Sequence, residues 1–156
     1  MIKKLQSFAL LIFLFTTLPS LSIAQELVNG SNIDEIMKIA RNYGSATVTA
    51  QPNGNPKIIG KIDNIPYIIR FRNCAKPNLC QDMNFRVGFL IKPKADTIND
   101  WNKNKRFSKA YLDDENDAIL EWDIIISGGI SKENMDKNFA YWRLTLSQFT
   151  AHIGFK

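Results

Sequence analysis

Two cysteines and a single histidine are all the thiol and imidazole groups that this 156-residue chain offers a zinc ion. A tetrahedral zinc site takes four ligands, mostly Cys and His, and His152 lies far along the chain from Cys74 and Cys80. No zinc site is expected. The thiols are spaced C-x5-C rather than the C-x-x-C of thioredoxin-like redox centres, where close spacing depresses one thiol pKa. His152 has no nucleophile near it in sequence and stands close to the C-terminus, so it reads as a surface histidine rather than a base. The glycines of Ser127 to Asn134 (SGGISKEN) lack the G-K-[ST] ending of a phosphate loop. Asp113, Asp114, Glu115 and Asp117 lack the alternating ligands, central glycine and distant glutamate of a calcium loop, and read as a polar hairpin tip. Glu121 and Asp123 are not read as an acid–base pair. The chain therefore presents no catalytic set, and neither a metal nor an organic cofactor is expected. With a formal charge of only +5, it also lacks the clustered basicity of a nucleic-acid binder.

What the chain does carry begins with an address. Lys3 and Lys4 precede an apolar run of eleven residues, Phe8 to Leu18; Pro19 breaks it, and Ser22-Ile23-Ala24 supplies small residues for cleavage. This is the pattern of a secretory signal peptide over residues 1–24. The run is shorter than the roughly 20 residues that span a bilayer, and no cysteine follows the site to carry a lipid. The expectation is a periplasmic or secreted protein, cleaved near Ala24 and without stable membrane insertion afterwards. In an oxidising compartment Cys74 and Cys80 should pair, a staple across the hairpin loop that Pro77-Asn78 suggests.

The mature start, residues 25–30, is polar and reads as flexible. Ser31 reads as the N-cap of a helix carrying Ile33, Ile36, Met37 and Ala40 on one side. A short β-type run, Ala46 to Thr49, ends at the dense turn signal Pro52-Asn53-Gly54-Asn55-Pro56. Three alternating strands follow. They place Ile58 and Ile62, then Ile65, Tyr67, Ile69 and Phe71, then Met83, Phe85, Val87, Phe89 and Ile91 on one face. Both cysteines have the parity of the opposite, largely wet face, which puts their bridge outside the core. Thr97 reads as the cap of a short helix with Ile98 and Trp101 inward. A hairpin with Leu120, Trp122, Ile124 and Ile126 on its apolar side comes next. Gly128-Gly129 then turns into a long helix capped by Ser131, striped with Met135, Phe139, Trp142, Leu146, Phe149 and Ile153. That stripe reads as core, with Trp122 and Trp142 meeting in it, rather than as a coiled-coil seam. Residues 31–156 are thus a single α+β domain: an antiparallel sheet with helices packed on one face, in the order helix–strands–helix–hairpin–helix.

The phrases GKIDNIPYIIRF, the cysteine pair with MNFRVGF, DWNKNKRFSKAYLDDENDAILEWDI, and GGISKENM before the aromatic helix resemble the YbjN family. The resemblance runs from Pro56 to Ile153, most specifically over Trp101 to Asp113. The family looks like the type III secretion chaperones in fold. The resemblance implies a helix–strands–helix–strands–helix domain with a binding or chaperone-like role, and it brings no catalytic residues.

Candidate surfaces follow from charge and parity. Lys103, Lys105, Arg106 and Lys109 cluster around aromatic residues and read as a solvated helix end. The wet sheet face carries Ile68, Arg70, Arg86 and Leu90, a mixture of basic and apolar groups that a selective interface can use. The function expected is that of an exported, non-enzymatic binding or chaperone-like module. Its partner would be a protein or envelope component, and a homodimer stays open. A small inhibitor or stabiliser of one envelope enzyme, and an uncharacterised hydrolase, stand as alternatives.

Overall fold

Apolar residues at every second position of consecutive segments can be buried together only if those segments pair side by side in one register. The computed structural model describes residues 26–155 and shows that pairing; the signal-peptide expectation lies outside the described residues. In chain order the elements are β1 (Leu27–Val28), α1 (Ile33–Arg41), β2 (Ser45–Ala50), β3 (Pro56–Ile62), β4 (Ile65–Arg72), β5 (Asp82–Phe89), α2 (Ala95–Asn104), β6 (Lys109–Leu112), β7 (Ala118–Ile125), β8 (Ile130–Ser131) and α3 (Lys132–Ile153). Six strands form one antiparallel sheet in the order β2-β3-β4-β5-β7-β6, and β1 pairs with β8 in a separate ribbon. The fold is α+β, with the expected order of helices and hairpins.

One face of the sheet makes the core. Ile58, Tyr67, Ile69, Phe71, Met83, Phe85, Val87 and Leu120 join Ile36 of α1, Trp101 of α2, and Phe139, Trp142 and Phe149 of α3 in a single buried cluster. Phe85 sits at its centre, with ring centroids 5.2 Å from both Phe139 and Trp142. The α3 stripe is therefore core. Trp122 is only half-buried, and it meets Trp142 through Phe85, 6.2 Å away, rather than directly. Ser131 caps α3 as expected, its Oγ accepting from the Asn134 amide at 3.1 Å. At the outer edge, the Asn102 side chain donates to the Ala110 carbonyl at 2.9 Å and accepts from its amide at 2.8 Å. It stands in for a neighbouring strand and blunts the edge of β6.

Several local expectations are corrected. Residues 25–30, expected to be flexible, include Val28, which is fully buried in β1. Leu27 and Val28 pair with Ser131 and Ile130, because Gly128 and Gly129 at φ 77° and 86° fold β8 back beside them. The cap of α1 is Asn32 rather than Ser31. The Ser31 amide is already taken by Asn29 Oδ1 at 2.8 Å, in a turn preceding the helix. The helix α2 starts at Ala95, so Thr97 lies in its first turn and is no cap. His152 is half-buried rather than a loose surface group. Its Nε2 lies 2.8 Å from the Thr97 carbonyl, an acceptor only, so this nitrogen carries the proton and latches α3 to α2.

The cysteines form the disulfide Cys74–Cys80, but not outside the core. Cys80 is buried with the core cluster and Cys74 packs against it. Parity misplaced them because neither lies in a strand: β4 ends at Arg72, Asn73 takes φ 50°, and β5 begins only at Asp82. Gly30 seals the bridge from the other side, where a Cβ would collide with the Cys80 backbone. The double substitution Cys74→Ala, Cys80→Ala should still fold, with about 2–3 kcal/mol less stability from the lost loop closure. Urea unfolding followed by tryptophan fluorescence reads this out. An unchanged midpoint would show that the bridge adds nothing.

Candidate functional site

The second face of the sheet is the one that the core does not use. Cross-strand register aligns its side chains in rows. One row runs Thr47, Ile59, Ile68, Arg86, Glu121, Lys109, and the next runs Thr49, Lys57, Arg70, Asn84, Asp123. This face is not uniformly wet. Asn84 and Glu121 are buried, at 1% and 6% exposure.

Glu121 is the hub of a polar network that sequence reasoning missed. Arg86 Nη1 donates to Glu121 Oε1 at 2.5 Å and also to the Tyr111 hydroxyl. The Tyr111 hydroxyl in turn donates a hydrogen bond to Glu121 Oε1 at 2.9 Å. Lys109 Nζ stands 3.4 Å from Glu121 Oε2 and 3.9 Å from Asp123 Oδ2. Asp123 in turn accepts from Asn84 Nδ2 at 2.8 Å. Burial by itself would raise the Glu121 carboxyl, yet the hydrogen bonds from Arg86 and Tyr111 and the Arg86 charge outweigh it and hold the group below its ordinary value. Burial likewise works against the Arg86 charge, and the same partners more than restore it. The one signal in the sequence was an acid set among Ile119, Leu120 and Trp122, in a strand that had to pair with a strand carrying Arg86.

The four residues predicted for this face separate into three places. Ile68 and Arg86 share a shallow hollow of about 230 Å³ with Ile59, Pro66 and Gly88. Arg86 is no free cation there, because Glu121 and Tyr111 already engage it. Leu90 lies beyond the end of β5 and is 90% exposed. The tight bond from the Ile91 amide to the Phe89 carbonyl, 2.7 Å, ends the strand and leaves Leu90 outside the sheet register. It lines an adjoining hollow of about 260 Å³ that shares Pro66, Val87 and Gly88 with the first. Arg70 opens onto a third hollow, of about 430 Å³, with Gln51, Asn53, Asn55, Arg72 and Asn73. Among the described residues Arg70 has no hydrogen-bond or ion-pair partner.

The remaining sequence candidates resolve into local structure. Lys105 reaches Gln148 at 3.3 Å, Arg106 lies over the Phe107 ring at 4.8 Å, and Lys109 belongs to the Glu121 network. Asp113 Oδ1 accepts from the Glu115 and Asp117 amides at 3.1 and 2.8 Å, as a hairpin tip does. Glu121 and Asp123, two residues apart, share the open face beside Lys109. Among the described residues no group of three or more His, Cys, Asp or Glu is gathered where it could hold a metal ion. No described helix is long and apolar enough to cross a membrane.

A family model described as "YbjN: Putative bacterial sensory transduction regulator" matches residues 32–155. The chain belongs to the YbjN family. A comparison with curated proteins returns no match. The YbjN match starts at the Asn32 cap of α1 and ends just beyond α3, so it takes in the whole six-stranded sheet and its open face. The strand β1, which closes the disulfide end of the domain, precedes it.

Proposed function

We propose that this YbjN domain is a non-enzymatic, regulatory binding module of the bacterial envelope. It is exported through its N-terminal segment, and it acts by seating a protein partner on the open face of its sheet. One observation carries the reading. Among the described residues helices cover only one side of the six-stranded sheet, while the other presents an apolar hollow at Ile59 and Ile68 and, two residues along β4, the partnerless Arg70. A half-exposed apolar strip flanked by cations is the composition of a selective interface rather than of a solvated surface. The Cys74–Cys80 bridge fits an oxidising compartment, and the family description of a regulator fits binding rather than turnover.

Site-specific photocrosslinking in the native envelope tests this. A benzophenone side chain at Ile59 or Ile68 should capture one discrete partner, and the same group at Ser147, exposed on α3, should not. Equal capture from all three positions, or reproducible substrate turnover by the purified protein, would overturn the proposal.

A further inference from the structure

The open face contains an unbalanced charge. Lys57, Arg70, Arg72 and Arg86 lie on neighbouring strands β3, β4 and β5. Glu121 neutralises Arg86, which leaves Arg70 half-buried with no acceptor of its own among the described residues. Its hollow is lined by Gln51, Asn53, Asn55, Arg72 and Asn73, with no carboxylate in the lining. The nearest acid in register, Asp82 opposite Arg72, is turned to Asn73, whose amide donates to it. A partly desolvated guanidinium among like charges is a poor arrangement for a free domain. Burial first, and then the charges of Arg86 and Arg72, pull the Arg70 guanidinium below its ordinary value. An incoming anion would offset the like charges crowded at Arg70 and Arg72.

Resting on the reading of this face as the contact surface, we infer that its partner presents an extended segment with a carboxylate and an apolar side chain two residues apart. The carboxylate enters the Arg70–Arg72 hollow and the apolar group enters the Ile59–Ile68 hollow. Spacing supports the match. Ile68 and Arg70 are two residues apart on β4 and share its face, about 7 Å along the strand, and side chains at i and i+2 of an extended peptide have the same separation. Arg70 supplies a planar fork suited to a carboxylate, and Lys57 beside it adds field without competing geometry. Arg86 stays with Glu121.

The test uses the full disulfide-bonded mature chain and NMR of its arginine Nε–Hε and isoleucine methyl signals. The probes are a capped, otherwise Thr-rich peptide with Glu and Ile two residues apart (Thr-Glu-Thr-Ile-Thr), its Gln counterpart, and sodium succinate. The Glu peptide should shift Arg70, Arg72, Ile59 and Ile68 together. Its Kd should rise about tenfold both in R70Q and on exchange of Glu for Gln in the peptide, the worth of one charge-assisted pair. R70Q removes no hydrogen bond or ion pair among the described residues and relieves the crowding of like charges, so its melting temperature should equal or exceed that of wild type. Equal binding of the two peptides, unchanged affinity in R70Q, or shifts confined to other surfaces would overturn the inference. Succinate binding as tightly as the peptide would also overturn it, in favour of a free acid as ligand. The crosslinking separates this failure from failure of the face itself. Capture from Ile59 and Ile68 that persists undiminished in R70Q keeps the face and discards the carboxylate.

Discussion

Trp142→Ala should lower the unfolding free energy by about 3–5 kcal/mol, the range for truncating a large buried aromatic side chain. Trp142 is fully buried and has Phe85 at 5.2 Å and Tyr67 at 6.3 Å on the sheet side. Removing the indole leaves a cavity between α3 and the sheet that neither can collapse into, since Phe139 and Leu146 hold the helix in place on either side. Trp122→Ala should cost less than half as much, because Trp122 is half-exposed and lies tilted against Phe107 at 5.6 Å near the surface. The indole Nε1 of Trp142 is buried without a partner among the described residues. Trp142→Phe should therefore be milder than its lost volume suggests, because it also removes an unsatisfied donor. Equilibrium urea unfolding with the disulfide intact orders the three variants. A wild-type midpoint for Trp142→Ala would mean that α3 does not pack on the sheet.

Glu121→Ala should be the second most damaging change, at about 2–4 kcal/mol, since removing one member of a buried ion pair strands the other. Arg86 and Tyr111 would lose their common acceptor, although the 23% exposure of the Arg86 side chain lets water recover part of the cost. The double variant Glu121→Ala, Arg86→Ala should be closer to wild type than the sum of the singles. Acid titration gives an independent reading. The Glu121 carboxyl is held below its ordinary value in the folded state, so its contribution is complete above the unfolded value of about 4.5. It is lost as pH falls through the lowered folded value. Glu35 and Glu133 are also depressed by lysine partners, so the difference between wild type and Glu121→Gln isolates Glu121. That difference should be largest near neutral pH and shrink as the solution is acidified below pH 4.5. A difference independent of pH would mean that the carboxylate charge is not what Arg86 requires.

Much of the framework was legible in the residues themselves. Ile65, Tyr67, Ile69 and Phe71 can share a face only in an extended chain, and all four lie in β4. Met135, Phe139, Trp142, Leu146, Phe149 and Ile153 fall on one side only of a helix, and Ser131 marks its start. The α+β class followed. These are local properties, set by side-chain period and capping chemistry within a few residues. The YbjN resemblance rested instead on whole phrases of sequence.

What the tertiary structure decided was everything that depends on which strand lies beside which. Two residues, Leu27 and Val28, have no period to read, and they become a strand only because β8 is brought back beside them. Cys80 is buried because its loop folds under Gly30, after leaving the alternation that would have exposed it. Parity placed Arg70 and Arg86 together as equivalent cations, but the pairing of β5 with β7 sets Glu121 opposite Arg86 and leaves Arg70 facing Asn84. A side chain's face is fixed by its own strand, whereas its partner comes from a register formed across 35 residues of chain. In this sheet that register separates a satisfied ion pair from an arginine with no partner among the described residues.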